Sequence, residues 1–347
     1  MQVTHAVGPT FAQLRPLKPV PTPGFPVYGD LVERLLAAQR HPDDTAAHVA
    51  AVCSGYAYAE EQTVAMMMAR LGLEKNRCLE VSLSIDAMFI SSTAYLVQSA
   101  DGRLVLLAYR GTEPANFINW LLDLDVNPER VAVQLPAGAG GEFRIHGGFY
   151  RNALATRVEV VEALQRALGG QSVIPGGGPV PNPMEALYVA GHSLGGAMAA
   201  LMAVMLVTDP AYARIGAALR AVYTFGQPMV GDPAFARACA DHPFLGRNVI
   251  RYVYQHDVVP ELPPTASGDF AHFGPELRFR DGAWKESGTP TKQLNNLLEL
   301  PGAAAAFVAH QIRWFRKLPF QHSIYDHLPR QYLSALKPPH VSSEFGE

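Results

Sequence analysis

At 347 residues, 48% apolar and 17% charged, the chain has ample material for the core of one large α/β domain or two smaller ones. A net charge of −3 supplies no basic surface for nucleic acid or for an anionic membrane, and no uninterrupted apolar stretch reaches transmembrane length. Cys53, Cys78 and Cys239 are widely spaced and odd in number, which argues against a disulfide framework or a cysteine metal cluster and reads as reduced, partly buried thiols.

Residues 1–26 lack a basic segment followed by an apolar run, so they do not read as an ordinary secretory signal. The default expectation is a cytoplasmic protein, with export by another route left open. Pro9, Pro16, Pro19, Pro21, Pro23 and Pro26 instead predict a proline-rich arm over 1–27, extended across the domain or disordered, ahead of a single domain over 28–347. Asp30 is placed to cap a helix over 31–36, and a second helix is expected over 45–73, with Val64, Met67, Met68 and Leu71 at helical spacing. Two apolar runs, 92–97 and 104–109, flank Asp101-Gly102, the signature of a hairpin. Helix and strand patterns then alternate: helix 149–168, a glycine–proline loop 169–183, strand 186–190, helix to about 207, strand 221–225, helix 234–240 and strand 249–254. Continuous apolar strands alternating with helices predict a mainly parallel sheet covered on both faces.

The chemistry concentrates at Gly191-His192-Ser193-Leu194-Gly195, where an apolar strand runs directly into a small-residue helix. A serine nucleophile needs that strand–turn–helix context, and the tight turn wants glycine two residues before and two after it. A serine hydroxyl also needs a general base and a carboxylate to orient that base, in the chain order Ser, Asp or Glu, His. Asp257, on the loop leaving strand 249–254, satisfies the requirement for the acid. His256 beside it reads as a packing or surface residue. For the base, the tail offers His272, His310, His322, His327 and His340; His327 precedes a short helical pattern beginning at Tyr332, and His322 competes with it. The oxyanion donors are expected to be the backbone N–H of Leu194 and the loop Arg110-Gly111-Thr112, where Thr112 adds a hydroxyl.

Taken in order, Tyr109-Arg110-Gly111-Thr112, His146-Gly147-Gly148-Phe149, Gly191-His192-Ser193-Leu194-Gly195-Gly196, Thr224-Phe225-Gly226-Gln227-Pro228 and Asp257-Val258-Val259-Pro260 resemble the class-three lipases, the fungal-lipase-like α/β-hydrolases. The stretch from Ala271 to Glu276 and the tail Asp326-His327 followed by Tyr332 are similar to further family blocks, so the likeness spans about 92–336. The resemblance implies the α/β-hydrolase fold, with Ser193 as nucleophile, Asp257 as acid, His327 as base and Thr112 in the oxyanion hole; His146 and His272 then read as structural. It also implies a lid just after Thr112, here 113–124, where Phe117, Trp120, Leu121 and Leu124 share one helical face. Residues 291–320 depart from a minimal family member and form a candidate cap.

The expected activity is serine ester hydrolysis of lipid esters, triacylglycerol lipase-like, through an acyl-serine intermediate, with no metal or cofactor. The expected partners are a hydrophobic ester and, through the lid, a transient lipid interface. A phospholipase A1, a short-chain esterase and a feruloyl-type esterase would use the same residues, and an inactive hydrolase-fold binding protein is the reading from another class.

Overall fold

The computed structural model describes residues 1–14, 24–38, 42–85, 90–112, 128–132, 135, 142–289, 291–295, 323–339 and 341. Its strands are β1 (Gln2–Val7), β2 (Arg77–Ile85), β3 (Ile90–Gln98), β4 (Leu104–Tyr109), β5 (Pro128–Ala132), β6 (Glu142–His146), β7 (Ala186–His192), β8 (Leu219–Phe225), β9 (Val249–Tyr254), β10 (Glu276–Arg280) and β11 (Ala283–Glu286). The helices are α1 (Leu31–Ala37), α2 (Asp44–Tyr56), α3 (Glu61–Leu71), α4 (Gly147–Ala155), α5 (Arg157–Leu168), α6 (Leu194–Thr208), α7 (Ala213–Ala218), α8 (Pro233–Asp241), α9 (Leu245–Asn248) and α10 (Pro329–Leu336).

One nine-stranded sheet, in the order β1-β2-β3-β4-β7-β8-β9-β10-β11, carries the molecule, and β5 and β6 form a separate pair. The pairings from β4 through β10 are parallel, while β1 to β4 and β10 to β11 are antiparallel. The parallel strands therefore occupy the centre, and antiparallel strands extend both flanks. Side chains alternate across the sheet. Val105, Leu107 and Tyr109 of β4 enter one core with α4, α5 and α6, whereas Leu104, Leu106 and Ala108 enter the other with α2, α3 and α10. Because both faces are covered, central strand β4 is apolar at every position rather than at every second one. This is the α/β layering expected from the sequence.

Four expectations change in detail. The first part of the 1–27 arm is a strand, because β1 pairs antiparallel with β2 along its whole length from Gln2↔Ser82 to Val7↔Arg77. Residues 15–23, which hold four of its six prolines, lie outside the described residues. The helix expected over 45–73 is two helices, and the turn between them is held by the Tyr95 hydroxyl donating to the Ala59 carbonyl at 2.6 Å. The helix expected over 149–168 breaks at buried Thr156, whose hydroxyl meets Ser92 Oγ at 3.2 Å across the α4–α5 joint. Asp30 does precede α1, but its side chain pairs with Arg34 at 2.5 Å instead of capping the first-turn amides. All three cysteines are buried thiols.

Candidate active site

The parallel sheet places every strand-to-helix turn at the carboxyl ends of its strands, and there β7 enters α6 through Ser193. Ser193 has φ 59° and ψ −129°, a backbone state that costs a non-glycine residue on the order of 1–3 kcal/mol. Its neighbours leave no room to relax. A Cβ on Gly191 would lie 2.1 Å from the Gly195 carbonyl oxygen, and one on Gly195 would lie 2.2 Å from the carbonyl oxygen of Tyr109 on β4. The Ser193 N–H donates to the Phe225 carbonyl at 2.9 Å, tying the turn to the end of β8. Ser193 is buried, and its Oγ has no hydrogen-bond partner among the described residues. Leu194 opens α6, so its N–H belongs to the first turn, whose amides have no intrahelical acceptor and sit at the positive end of the helix dipole.

Asp257 follows β9 and is buried. Its Oδ1 accepts the Val259 N–H at 2.9 Å, and His327 Nδ1 lies 3.1 Å from Oδ1 and 2.9 Å from Oδ2. Carboxylate oxygens accept, so Nδ1 carries the proton and Nε2 is left with the lone pair of a base. The Tyr332 hydroxyl, on α10, also donates to Asp257 Oδ2 and receives the Tyr254 N–H at 3.1 Å. Burial first, and then the charge of Asp257, hold the Tyr332 phenol well above its ordinary value, so it remains a donor.

The Ser193 turn and the Asp257–His327 pair meet through His192. Its ring lies 4.5 Å from that of His327, and its Nε2 lies 2.6 Å from the His327 carbonyl oxygen. Gly226, the residue after Phe225, fills the remaining corner: a Cβ there would fall 2.6 Å from Asp257 Oδ2 and 2.7 Å from His327 Nδ1. On the other side of the Ser193 turn, a Cβ on Gly111 would come within 2.5 Å of the His192 carbonyl oxygen and 3.1 Å of Ser193 Cβ, so the loop carrying half-buried Thr112 runs directly against the serine. Ser193, Leu194, Asp257, His327 and the Gly111-Thr112 loop are thus gathered into one site. Tyr332, Gly226 and His192 complete it. Their roles were not separable from the sequence, where Tyr332 appeared as the start of a helical pattern and, like the other two, as a motif position.

His146 and His272 take structural positions. His146 Nδ1 accepts the Phe149 N–H at 3.3 Å and its ring stacks on Phe149 at 3.8 Å; His272 Nε2 meets the Pro260 carbonyl oxygen at 2.7 Å. His256 is exposed. The lid residues Phe117, Trp120 and Leu121, the competing His322, and residues 296–320 of the candidate cap lie outside the described residues. Among the described residues no group of three histidine, cysteine, aspartate or glutamate side chains is placed to hold a metal ion, and no single helix is long and apolar enough to cross a membrane.

The family model for lipase (class 3) matches residues 106–267. Over that stretch the chain is similar to the class 3 lipases. A lipase of Rhizomucor miehei is 29% identical over 208 residues, 59% of this chain and 50% of its own length. Secreted mono- and diacylglycerol lipase A of Penicillium cyclopium is 26% identical over 230 residues, 63% of this chain and 65% of its own. The solved Rhizomucor miehei lipase propeptide complex has the same fold, with a TM-score of 0.50 at 23% identity, covering 81% of this chain and 78% of that one. The chain spans about half the length of the first curated relatives it matches. The class 3 lipase match contains Thr112, Ser193 and Asp257, whereas His327 and Tyr332 lie beyond it and join the site through their contacts with Asp257.

Proposed function

We propose that this chain is a lipase similar to the class 3 family that hydrolyses carboxylic esters of lipids, triacylglycerols first among them, through an acyl-serine intermediate. One observation carries the reading: the Asp257–His327 pair, with the proton on Nδ1, is joined through His192 to the turn of a strained, buried serine whose Oγ has no hydrogen-bond partner among the described residues. In this mechanism Ser193 Oγ attacks the ester carbonyl carbon while His327 Nε2 removes its proton. Asp257 stabilises the resulting imidazolium, and the Leu194 N–H and Thr112 receive the oxyanion. Collapse of the tetrahedral species breaks the carbon–oxygen bond, and His327 returns the proton to the departing alcohol. A water molecule, deprotonated by His327, then attacks the acyl carbon and releases the carboxylic acid and free Ser193.

The lipase names of the relatives support a lipid ester as substrate. The helical spacing of Phe117, Trp120, Leu121 and Leu124 in the sequence supports a lid that meets the lipid interface. The test is nitrophenyl ester turnover with Ser193→Ala, expected to fall at least a thousandfold at an unchanged melting temperature; retained turnover would overturn the mechanism. A chain-length profile measured below and above each ester's solubility limit tests the substrate class. A rise at the interface with long-chain glycerides supports a lipase, whereas a flat, short-chain preference identifies a plain esterase.

A further inference from the structure

We propose that Tyr58 and His192 form a positioning pair that fixes the backbone of the base, His327, and that Tyr58 does so by selecting the tautomer of His192. The proposal rests on the ester-hydrolase reading above, but it concerns residues that do not touch the ester.

The hydrogen-bond pattern allows one assignment. The His327 carbonyl oxygen can only accept, so His192 Nε2, at 2.6 Å, carries a proton. His192 is fully buried, and burial, followed by the proximity of His327, holds its imidazole well below the ordinary histidine value, so the ring is neutral. A neutral ring with its proton on Nε2 offers a lone pair at Nδ1, and the Tyr58 hydroxyl donates to it at 2.8 Å. The opposite tautomer would point a lone pair at the His327 carbonyl oxygen and break that contact. The tyrosine hydroxyl therefore favours the tautomer that holds the base.

The pair joins three parts of the fold that are remote in sequence. Tyr58 stands in the turn between α2 and α3, pinned there by the Tyr95–Ala59 bond; His192 precedes the nucleophile; and His327 closes a short 3-10 turn, Tyr325–His327. The same Tyr58 hydroxyl packs against Gly111, where a Cβ would come within 2.3 Å of it, so it also backs the loop leading to Thr112. His327 is held at its ring by Asp257 and at its backbone by His192. With the second anchor loosened, the ring can pivot about Asp257, and a misplacement of about 1 Å is enough to cost on the order of a hundredfold in rate. Tyr58 lies outside the segment matched to the class 3 lipase model, which makes the N-terminal helical layer a working part of the site.

The test uses the full chain and a water-soluble ester, nitrophenyl butyrate, with four variants: Tyr58→Phe, His192→Gln, His192→Leu and the double variant Tyr58→Phe/His192→Gln. A glutamine carries a permanent N–H near the Nε2 position and has no tautomer to select. The expected result is a five- to twentyfold fall in kcat for Tyr58→Phe with KM within twofold of the parent. His192→Gln should retain most of the activity that His192→Leu loses, and the Tyr58→Phe effect should shrink to less than twofold in the His192→Gln background. Equal kcat for Tyr58→Phe and the parent would overturn the proposal, as would an undiminished Tyr58→Phe effect in the glutamine background. Nitrogen-15 histidine NMR reads the same point without turnover: His192 is expected as the single Nε2–H tautomer in the parent and as a mixture in Tyr58→Phe, and an unaltered spectrum would overturn it. Labelling of Ser193 by a fluorophosphonate in the parent separates the two readings. Its absence sinks the ester-hydrolase mechanism, while the NMR result still decides the role of Tyr58.

Discussion

Tyr332 donates its hydroxyl to Asp257 Oδ2, the same oxygen that stands 2.9 Å from His327 Nδ1, so one carboxylate oxygen is shared by an imidazole and a phenol five residues after it. The remaining oxygen takes the Val259 N–H. Removing the phenol hydroxyl leaves a buried carboxylate short of one donor, a bond to a charged group worth about 1.5–3 kcal/mol. Tyr332→Phe is expected to lower stability by about that amount, read by urea denaturation, and to lower kcat about tenfold with little change in KM. Parent-like values for both would show that the hydroxyl is dispensable.

Gly226 combines a φ of +59° with the corner between Asp257 and His327. In Gly226→Ala the new methyl group must displace one of the two side chains, so the Asp257–His327 bond is lost before the core is disturbed. Turnover is expected to fall at least a hundredfold while circular dichroism remains that of the parent and stability drops by about 1–3 kcal/mol. A variant with parent-like kcat would mean that the pair tolerates displacement.

Asp326, beside His327, is buried, and burial pushes its carboxyl up to about 6; the charge of Asp257 adds to the rise, while bonds from the His256 N–H and Ser323 oppose it. A folded value above the unfolded one means that the folded protein retains the proton between about pH 4 and 6. The associated stabilisation is complete below about pH 4 and is lost as pH rises through about 6. Asp326→Asn should therefore gain melting temperature relative to the parent as pH increases from 4 to 7, by the equivalent of about 2 kcal/mol. Parallel melting curves across that range would contradict this. The buried neutral histidines act in the opposite sense. Burial lowers His146 to about 4 and, aided by Arg251, His272 to about 3, so their contribution is present above about pH 6.5 and is lost on acidification.

Arg251 and Glu276, both almost wholly buried, meet at 3.1 Å where β9 pairs with β10. Burial alone would raise the Glu276 carboxyl, but Arg251, the Thr291 hydroxyl and Arg278 outweigh it and bring it to about 2. Glu276→Ala leaves a buried guanidinium without its carboxylate and is expected to cost about 3–5 kcal/mol, measured as a lower urea midpoint. Replacing both residues with apolar ones of similar volume should recover most of that loss. If the single and double variants are equally unstable, packing rather than charge holds this strand pair.

Much of the fold was legible wherever local pattern and burial agree. The hairpin across Asp101-Gly102, strand β9 and the strand–turn–helix around Ser193 follow from turn chemistry and continuous apolar runs. Strand β1 was not legible, because an edge strand with exposed Val3 and Val7 carries no core-facing signature and forms only when β2 offers its free edge. The breaks near Ala59 and at Thr156 were hidden for a similar reason: the Tyr95 and Ser92 hydroxyls at those joints come from β3, far along the chain. The residues alone left His322 and His327 as competing bases. The family resemblance favoured His327, and the structure places it against Asp257.

The strained turn at Ser193 is legible in the sequence because its requirements are local. A strained serine, small residues two before and two after it, a strand behind and a helix ahead all lie within a few residues of one another. What surrounds Ser193 comes from distant parts of the chain. His327 reaches Asp257 across 70 residues, Tyr332 reaches it across 75, and Tyr58 reaches His192 across 134. Contacts at such separations depend on the order in which the strands pair and on which loops emerge at the carboxyl end of the sheet, and neither is written in any short stretch of chain.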